Sequence, residues 1–191
     1  TVRSAPMADV AEDLQRRRRE YAGRPLDPAD ADPDPIAQFE RWYADATDAA
    51  VVEPNAMVLA TVDAAGRPQA RHVLLRGLDD AGFRFFTNRG SAKAAELEAH
   101  PAVGLTFGWL EVSRAVRVTG HAHRLDDASS DAYFASRPRA SRLGAWASPQ
   151  SAVLGSRAEL DERLAEAERR FAGVQDVPRP PFWGGYLVVP D

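Results

Sequence analysis

Apolar residues recur along the chain at two spacings, one helical and one alternating, and these divide it into elements. Residues 7–22 (MADVAEDLQRRRREYA) carry Met7, Val10, Leu14 and Tyr21 as sparse apolar positions, which predicts a weakly amphipathic helix stopping at Gly23. In residues 36–52, Ile36, Phe39, Trp42 and Tyr43, then Ala46, Ala49 and Ala50, keep i, i+3, i+4 spacing and predict a second helix. MVLATVD (57–63), QARHVLLR (69–76) and FRFFTN (83–88) are apolar or alternating runs separated by AAGRP and GLDDAG. Turns that short predict an antiparallel meander. A short helix at 91–99 follows, with Ser91 as its N-cap. Strands are predicted at 102–110 and 115–125, a helix at 126–136 ending before Pro138, and a helix at 156–172 with Leu160, Leu164 and Phe171 on its apolar side. WGGYLVV (183–189) predicts a final strand.

The order contains no internal repeat and no GxGxxG, and does not build a doubly wound parallel sheet. It predicts a mainly β protein with peripheral helices, of the α+β class, with a mostly antiparallel sheet closed as a small barrel. Four prolines and four aspartates in RPLDPADADPDP mark a linker. The chain is expected to divide into an N-terminal helical arm or lid (1–24), a linker (25–35) and one domain (36–191).

Composition narrows the chemistry. The 191 residues suit one domain with an arm. There is no cysteine, so thiolate metal sites, disulfides and cysteine nucleophiles are excluded. No apolar run reaches membrane-spanning length and the first twenty residues lack a signal-peptide core, so the expectation is a cytoplasmic protein without a membrane partner. A net charge of -4 argues against nucleic acid. Lys and Arg together number 24, and all but Lys93 are Arg. In such a background an isolated Arg carries little information, whereas the single lysine draws notice.

No hydrolytic motif is present. His121 and His123 share a strand face, but no carboxylate cluster completes a metal site, so no metal is expected. The loop ASPQS (147–151) offers hydroxyls and an amide without a paired base, which suits binding rather than nucleophilic attack. Two segments suit anions. FTNRGSAK (86–93) places Thr87, Asn88, Ser91 and Lys93 at a helix start, where free backbone N–H groups and a cation favour a phosphate. The plain alternative is an ordinary N-cap with a solvated lysine. YFASRPRASRLGAW (133–146) spaces Tyr133, Arg137 and Ser141 four apart around Pro138, which predicts a polar bend. Arg71 and Arg76 are five apart on one predicted strand and would point to opposite faces if it were regular.

These stretches, with RREY (18–21), DPIAQFERWYADA (34–46), AMVLATVDAAGRPQARHVLLRG (56–77), GFRFFTNRGSAK (82–93), YFASRPRASRLGAWASPQS (133–151) and PPFWGGYLVVP (180–190), resemble the pyridoxine/pyridoxamine 5'-phosphate oxidase family. The resemblance spans nearly the whole chain in order. It implies an FMN-binding split β-barrel working as a homodimer. FMN would be held by Arg71, His72, Val73, Leu74, Leu75 and Arg76, by Phe86 and Thr87, by Lys93, and by Gln150 and Ser151 of the partner subunit. A phosphorylated B6 vitamer would be held by Arg76, Tyr133, Arg137 and Ser141, with Arg18 and Tyr21 in a covering lid. The implied reaction passes a hydride from the substrate C4' to flavin N5 and then reduces dioxygen to hydrogen peroxide. No residue would act as acid or base, and Arg76 and Arg137 would orient the substrate.

Arg76 stands where the family commonly has Lys, Ala92 where it has a basic residue, and Ala115 where it has Gln. The family pattern continues beyond the WGG strand with a Trp and an Arg-x-His pair, past Asp191 of this chain. Two other functions fit the same residues: a flavin oxidase of another substrate, as in phenazine pathways, or a flavin or pyridoxal-phosphate binding protein without turnover.

Overall fold

The computed structural model describes residues 10–18 and 25–191. Seven strands form one sheet: β1 (Ala56–Val62), β2 (Pro68–Leu74), β3 (Gly77–Asp79), β4 (Gly82–Asn88), β5 (Ala102–Trp109), β6 (Arg114–Arg124) and β7 (Trp183–Pro190). Their order is β2-β1-β5-β6-β7-β4-β3 and every pairing is antiparallel. β2 and β3 are the two edges, yet only Leu75 and Arg76 separate them in sequence. So short a link can join opposite edges only if the sheet curls until they meet. The Arg76 amide bonds the Arg84 carbonyl at 2.8 Å, which extends the β3–β4 pairing into the link.

The result is the curled antiparallel barrel expected, with one change to the meander. β2 does not pair with β4, which instead lies between β3 and β7. The GLDDAG turn does make a hairpin, but between β4 and the short strand β3, which the pattern assigns to the turn. The predicted strand 69–76 ends at Leu74, and Leu75 and Arg76 carry the chain across the seam.

Around the sheet lie α1 (Val10–Arg16), α2 (Pro35–Asp48), α3 (Ala92–Ala99), α4 (Asp127–Ser136), α5 (Arg139–Ala147) and α6 (Arg157–Arg170). α2 starts on the Asp34 side chain, which accepts from the Ile36 amide at 2.9 Å, with Pro35 in the first turn where no N–H is needed. It buries Phe39 against Phe83, Phe107 and Trp109, with ring centroids 4.9–5.6 Å apart. Met57, Leu59, Phe85, Leu105, Tyr186 and Val188 complete this core. Gly120 lies so close to β7 that a Cβ there would sit 2.1 Å from the Val189 carbonyl oxygen.

α5 is a helix that the sequence pattern did not predict. Pro138 ends α4 but then occupies the N-cap of α5 (φ -53°, ψ 143°), where its missing N–H costs nothing. α5 packs Leu143 and Trp146 onto Ala167, Phe171 and Val177 in a second, smaller core. Arg139 ties it down by donating to the carbonyls of Phe171 (2.8 Å) and Val174 at the end of α6. Among the described residues no helix is long and apolar enough to cross a membrane.

Candidate functional site

The polar ends of these elements converge on a cavity of about 760 Å³. β2 contributes Arg71, His72, Val73 and Leu74, and Arg76 reaches it from the β2–β3 link. β4 contributes Phe86, Thr87 and Asn88, and the start of α3 adds Ala92 and Lys93. Tyr133 of α4, Arg137 at the α4–α5 junction and Ser141 of α5 close the opposite side, with Ser148, Gln150 and Ser151 beyond and Trp183 of β7 beneath. Four of the lining side chains are cations, and none is a carboxylate, although the chain as a whole is acidic.

Each cation is held differently. Arg71 donates from Nη2 to Glu96 Oε2 at 2.6 Å and from Nη1 to Leu59 O at 3.2 Å and to Thr61 Oγ1. Lys93 is buried, and its Nζ donates to Gln150 Oε1 at 3.0 Å and lies 3.4 Å from Ser91 Oγ. Burial first, and then the Arg71 charge, hold the Lys93 pKa below the ordinary lysine value, while Glu96 pulls it up. Arg137 rests on aromatic faces, its guanidinium carbon 4.8 Å from the Trp183 ring centroid and 5.4 Å from that of Phe134. Its Nη1 is buried with no hydrogen-bond partner. Burial lowers its pKa and Arg76 adds to this, with Tyr133 opposing. Arg76 is exposed.

The uncharged groups are equally ordered. Gln150 Oε1 accepts from both Lys93 Nζ and Thr87 Oγ1, each at 3.0 Å. Ser151 Oγ accepts from the Ala92 amide at 3.2 Å, at the start of α3. Tyr133 stacks on Phe86 with centroids 3.8 Å apart and planes 14° off parallel. Trp183 lies nearly parallel to both.

Most of the residues singled out from sequence border this one cavity, and the exceptions have physical reasons. Leu75 does not border it: its side chain is buried in the main core, since it follows the last strand residue and turns inward. Arg71 and Arg76 do not share a strand, because β2 ends at Leu74 and frees Arg76 to turn into the cavity. Gln150 and Ser151, expected from a partner subunit, reach the cavity within the chain, because α5 delivers residues 148–151 onto β4 and the start of α3. Ser91 occupies the N-cap position of α3, but its hydroxyl donates back to Asn88 O at 2.7 Å instead of capping. Arg18 is exposed and lies outside the cavity lining, and Tyr21 lies outside the described residues. His121 bonds Asp191 at 3.1 Å, and no group of three or more potential metal ligands occurs among the described residues.

Sequence reasoning missed Thr61, Glu96 and Trp183. Glu96 did leave a signal, since it is three residues after Lys93 and therefore on the same helical side. Thr61 and Trp183 left none, because strand pairing brings them in from distant sequence.

Comparison with known proteins gives a consistent result. The family model described as pyridoxamine 5'-phosphate oxidase matches residues 43–170. A protein of Rubrobacter xylanophilus named pyridoxine/pyridoxamine 5'-phosphate oxidase is 58% identical over 179 residues, covering 94% of this chain and 82% of the relative. One of the same name from Burkholderia multivorans is 53% identical over 174 residues, covering 91% and 80%. Among solved structures, PhzG from Burkholderia lata in complex with tetrahydrophenazine-1-carboxylic acid superposes with a TM-score of 0.82 at 31% identity, covering 89% of this chain and 84% of that one. An FMN-binding protein of Nostoc punctiforme, 20% identical with a TM-score of 0.63 and covering 87% and 83%, shares the fold.

Proposed function

The chain belongs to the pyridoxamine 5'-phosphate oxidase family, and from that premise we propose that it oxidises pyridoxamine or pyridoxine 5'-phosphate to pyridoxal 5'-phosphate, with dioxygen as final acceptor. It is an FMN-dependent oxidoreductase of that family. The observation that carries the substrate reading is the charge of the cavity: Arg71, Arg76, Lys93 and Arg137, with no carboxylate in the lining. Two phosphomonoesters bring roughly -3 to -4 between them near neutral pH. Arg71 is already paired with Glu96 beneath the cavity, so about three positive charges stay uncompensated. A flavin phosphate and a substrate phosphate together match them, whereas one phosphate leaves an excess.

The residues fit the cofactor. Lys93 is a buried ammonium bonded to neutral Gln150 and Ser91, and an anionic oxygen is a better acceptor than either. In the proposed arrangement Arg71, Thr87, Lys93, Gln150 and Ser151 hold the FMN phosphate at the start of α3, where the helix dipole also favours an anion. Arg137 holds the substrate phosphate, its unpaired Nη1 being the donor, and Tyr133, Ser141 and Arg76 complete that side. Phe86, Tyr133 and Trp183 form an apolar wall that excludes water from the reacting rings. When bound, FMN supplies the hydride acceptor and the route to dioxygen. The chain's own task is placement and charge balance, consistent with a cavity that offers no carboxylate as a general base.

Proteins of this family are typically dimeric, and we extend this to a homodimer here. Its support is the outer face of β1, β5 and β6, where Ala60, Thr106, Gly108, Ala115 and Thr119 lie exposed as small side chains around a single Arg117.

A second reading has one observation in its favour, the PhzG likeness, and would make the substrate a reduced phenazine. The presence of Tyr133, Arg137 and Ser141 in one cavity favours the phosphorylated vitamer. The test is anaerobic addition of pyridoxamine 5'-phosphate to the FMN-loaded protein. Bleaching of the flavin band is expected, and far slower bleaching with unphosphorylated pyridoxamine. A bound flavin that neither bleaches would mark a binding protein without turnover. Bleaching by a dihydrophenazine acid alone would establish the second reading.

A further inference from the structure

Beneath the cation-lined cavity lies a carboxylate that the proposed chemistry does not use. Glu96 is on α3, one turn after Lys93, and is only 8% exposed. Its Oε2 accepts from Arg71 Nη2 at 2.6 Å and from Thr61 Oγ1 at 2.5 Å. The Thr61 hydroxyl in turn accepts from Arg71 Nη1, so the three side chains close a ring of hydrogen bonds. Thr61 is 2% exposed, and the strand carrying it also offers the Leu59 carbonyl to Arg71. Of the five guanidinium N–H groups, three are thus taken from below, leaving two for a ligand.

We infer that Glu96 is a positioning residue for the flavin phosphate: it fixes the Arg71 guanidinium from beneath the cavity and offsets the mutual repulsion of Arg71 and Lys93, so that both cations are set before the phosphate arrives. The inference rests on the FMN reading given above. Without Glu96, two cations would share a poorly hydrated site, and the long Arg71 side chain would be free to swing away from Lys93. The charged groups acting on Lys93 are Arg71, from β2, and Glu96, from its own helix. β4 and the 148–151 segment present neutral Thr87 and Gln150 there. Burial and Arg71 disfavour the ammonium, and Glu96 is the group that favours it. An ordinary buried ion pair would affect folding and leave phosphate selectivity alone. A positioning role affects phosphate selectivity in particular.

The experiment uses the full chain stripped of flavin, titrated with FMN and separately with riboflavin, which has the same ring system and no phosphate. Wild type, Glu96→Gln and Thr61→Val are compared across the neutral to alkaline range, with thermal melting as a check on folding. Wild type should prefer FMN strongly and lose that preference as Lys93 deprotonates. Glu96→Gln should weaken FMN about tenfold, the scale of one charge-assisted hydrogen bond, and leave riboflavin within about twofold. Its alkaline loss of FMN affinity should begin at lower pH than in wild type, because the group that favours the Lys93 ammonium is gone. Thr61→Val should weaken FMN less, in the same direction, and it decides the matter alone if Glu96→Gln does not fold. Equal losses for FMN and riboflavin, or an unchanged FMN affinity with an unmoved alkaline limb, would overturn the inference. A wild-type protein with no preference for FMN over riboflavin would instead overturn the assignment of the phosphate site.

Discussion

Replacing Lys93 by Met tests the phosphate site most directly. Met keeps an unbranched stem of similar length and removes the charge. The ammonium is buried and 3.0 Å from Gln150 Oε1, so solvent screens it little. A charge-assisted hydrogen bond contributes about 1.5–3 kcal/mol. At about 1.4 kcal/mol per factor of ten, FMN affinity should fall roughly 10- to 150-fold. The folded protein without FMN should respond the other way. Burial and Arg71 lower the Lys93 pKa, so the unfolded chain holds that proton more tightly than the folded one. Stability therefore rises with pH in the window between the lowered folded value and the ordinary lysine value. Below that window the charged lysine is a net cost, which Met removes. FMN reverses the balance by favouring the ammonium, so binding within the window takes up a proton and weakens as pH rises. Lys93→Met should abolish that pH dependence. Fluorescence titration of FMN and melting of the flavin-free protein measure the two effects. An FMN affinity within threefold of wild type, or a flavin-free melting temperature that drops along with the affinity, would refute the reasoning.

Arg137→Leu should raise KM for the phosphorylated amine roughly 10- to 150-fold, by loss of one charge-assisted contact, with FMN affinity within about twofold. Steady-state kinetics paired with flavin titration check it, and an unchanged KM would remove Arg137 from the substrate site. Gly120→Ala forces a methyl to 2.1 Å from the Val189 carbonyl oxygen and 3.0 Å from Pro190 Cα, both backbone atoms that cannot rotate away. The expected cost is about 1–3 kcal/mol, or a melting temperature lower by about 2–12 °C, read by calorimetry.

How far the sequence could be read depended on distance along the chain. Strands β1, β4, β5 and β7 and helices α2, α3 and α6 lie within a few residues of their expected limits, because alternation and i, i+3, i+4 spacing are local signals. α5 was lost because Pro138 reads as a stop, and no local pattern says that the next residue starts a new helix packed on α6. The β2–β3 seam was lost because QARHVLLR alternates without a break, and nothing local marks Leu75 and Arg76 as the point where one edge of the sheet gives way to the other. At the site, Lys93, Thr87 and the Tyr133–Ser141 bend were singled out by local pattern and the resemblance added Phe86, and the structure brings them to one cavity. The Glu96–Arg71–Thr61 ring joins residues 10 to 35 apart: pairing of β1 with β2 brings Thr61 to Arg71, and packing of α3 on the sheet brings Glu96.

Gathering four cations in one cavity is destabilising unless each is restrained, and the restraints differ in kind. Arg71 has a carboxylate, Lys93 a neutral amide, Arg137 two aromatic faces, and Arg76 solvent. Only the first restraint neutralises charge, so the flavin-free cavity retains net positive charge and self-repulsion. Salt screens that repulsion, and an anionic ligand removes it. The flavin-free protein should therefore melt higher as salt rises, while FMN affinity falls. FMN at 100 times its Kd stabilises by about 2.7 kcal/mol, or about 5–11 °C for a chain of this size. That gain should shrink at high salt, since the starting state is already relieved and binding is weaker. Riboflavin, without the phosphate, should give a shift that salt leaves alone. A flavin-free melting temperature indifferent to salt, together with equal salt dependence for FMN and riboflavin, would mean that the cations are compensated by groups other than the ligands, and that their convergence is a consequence of the fold rather than the basis of phosphate binding.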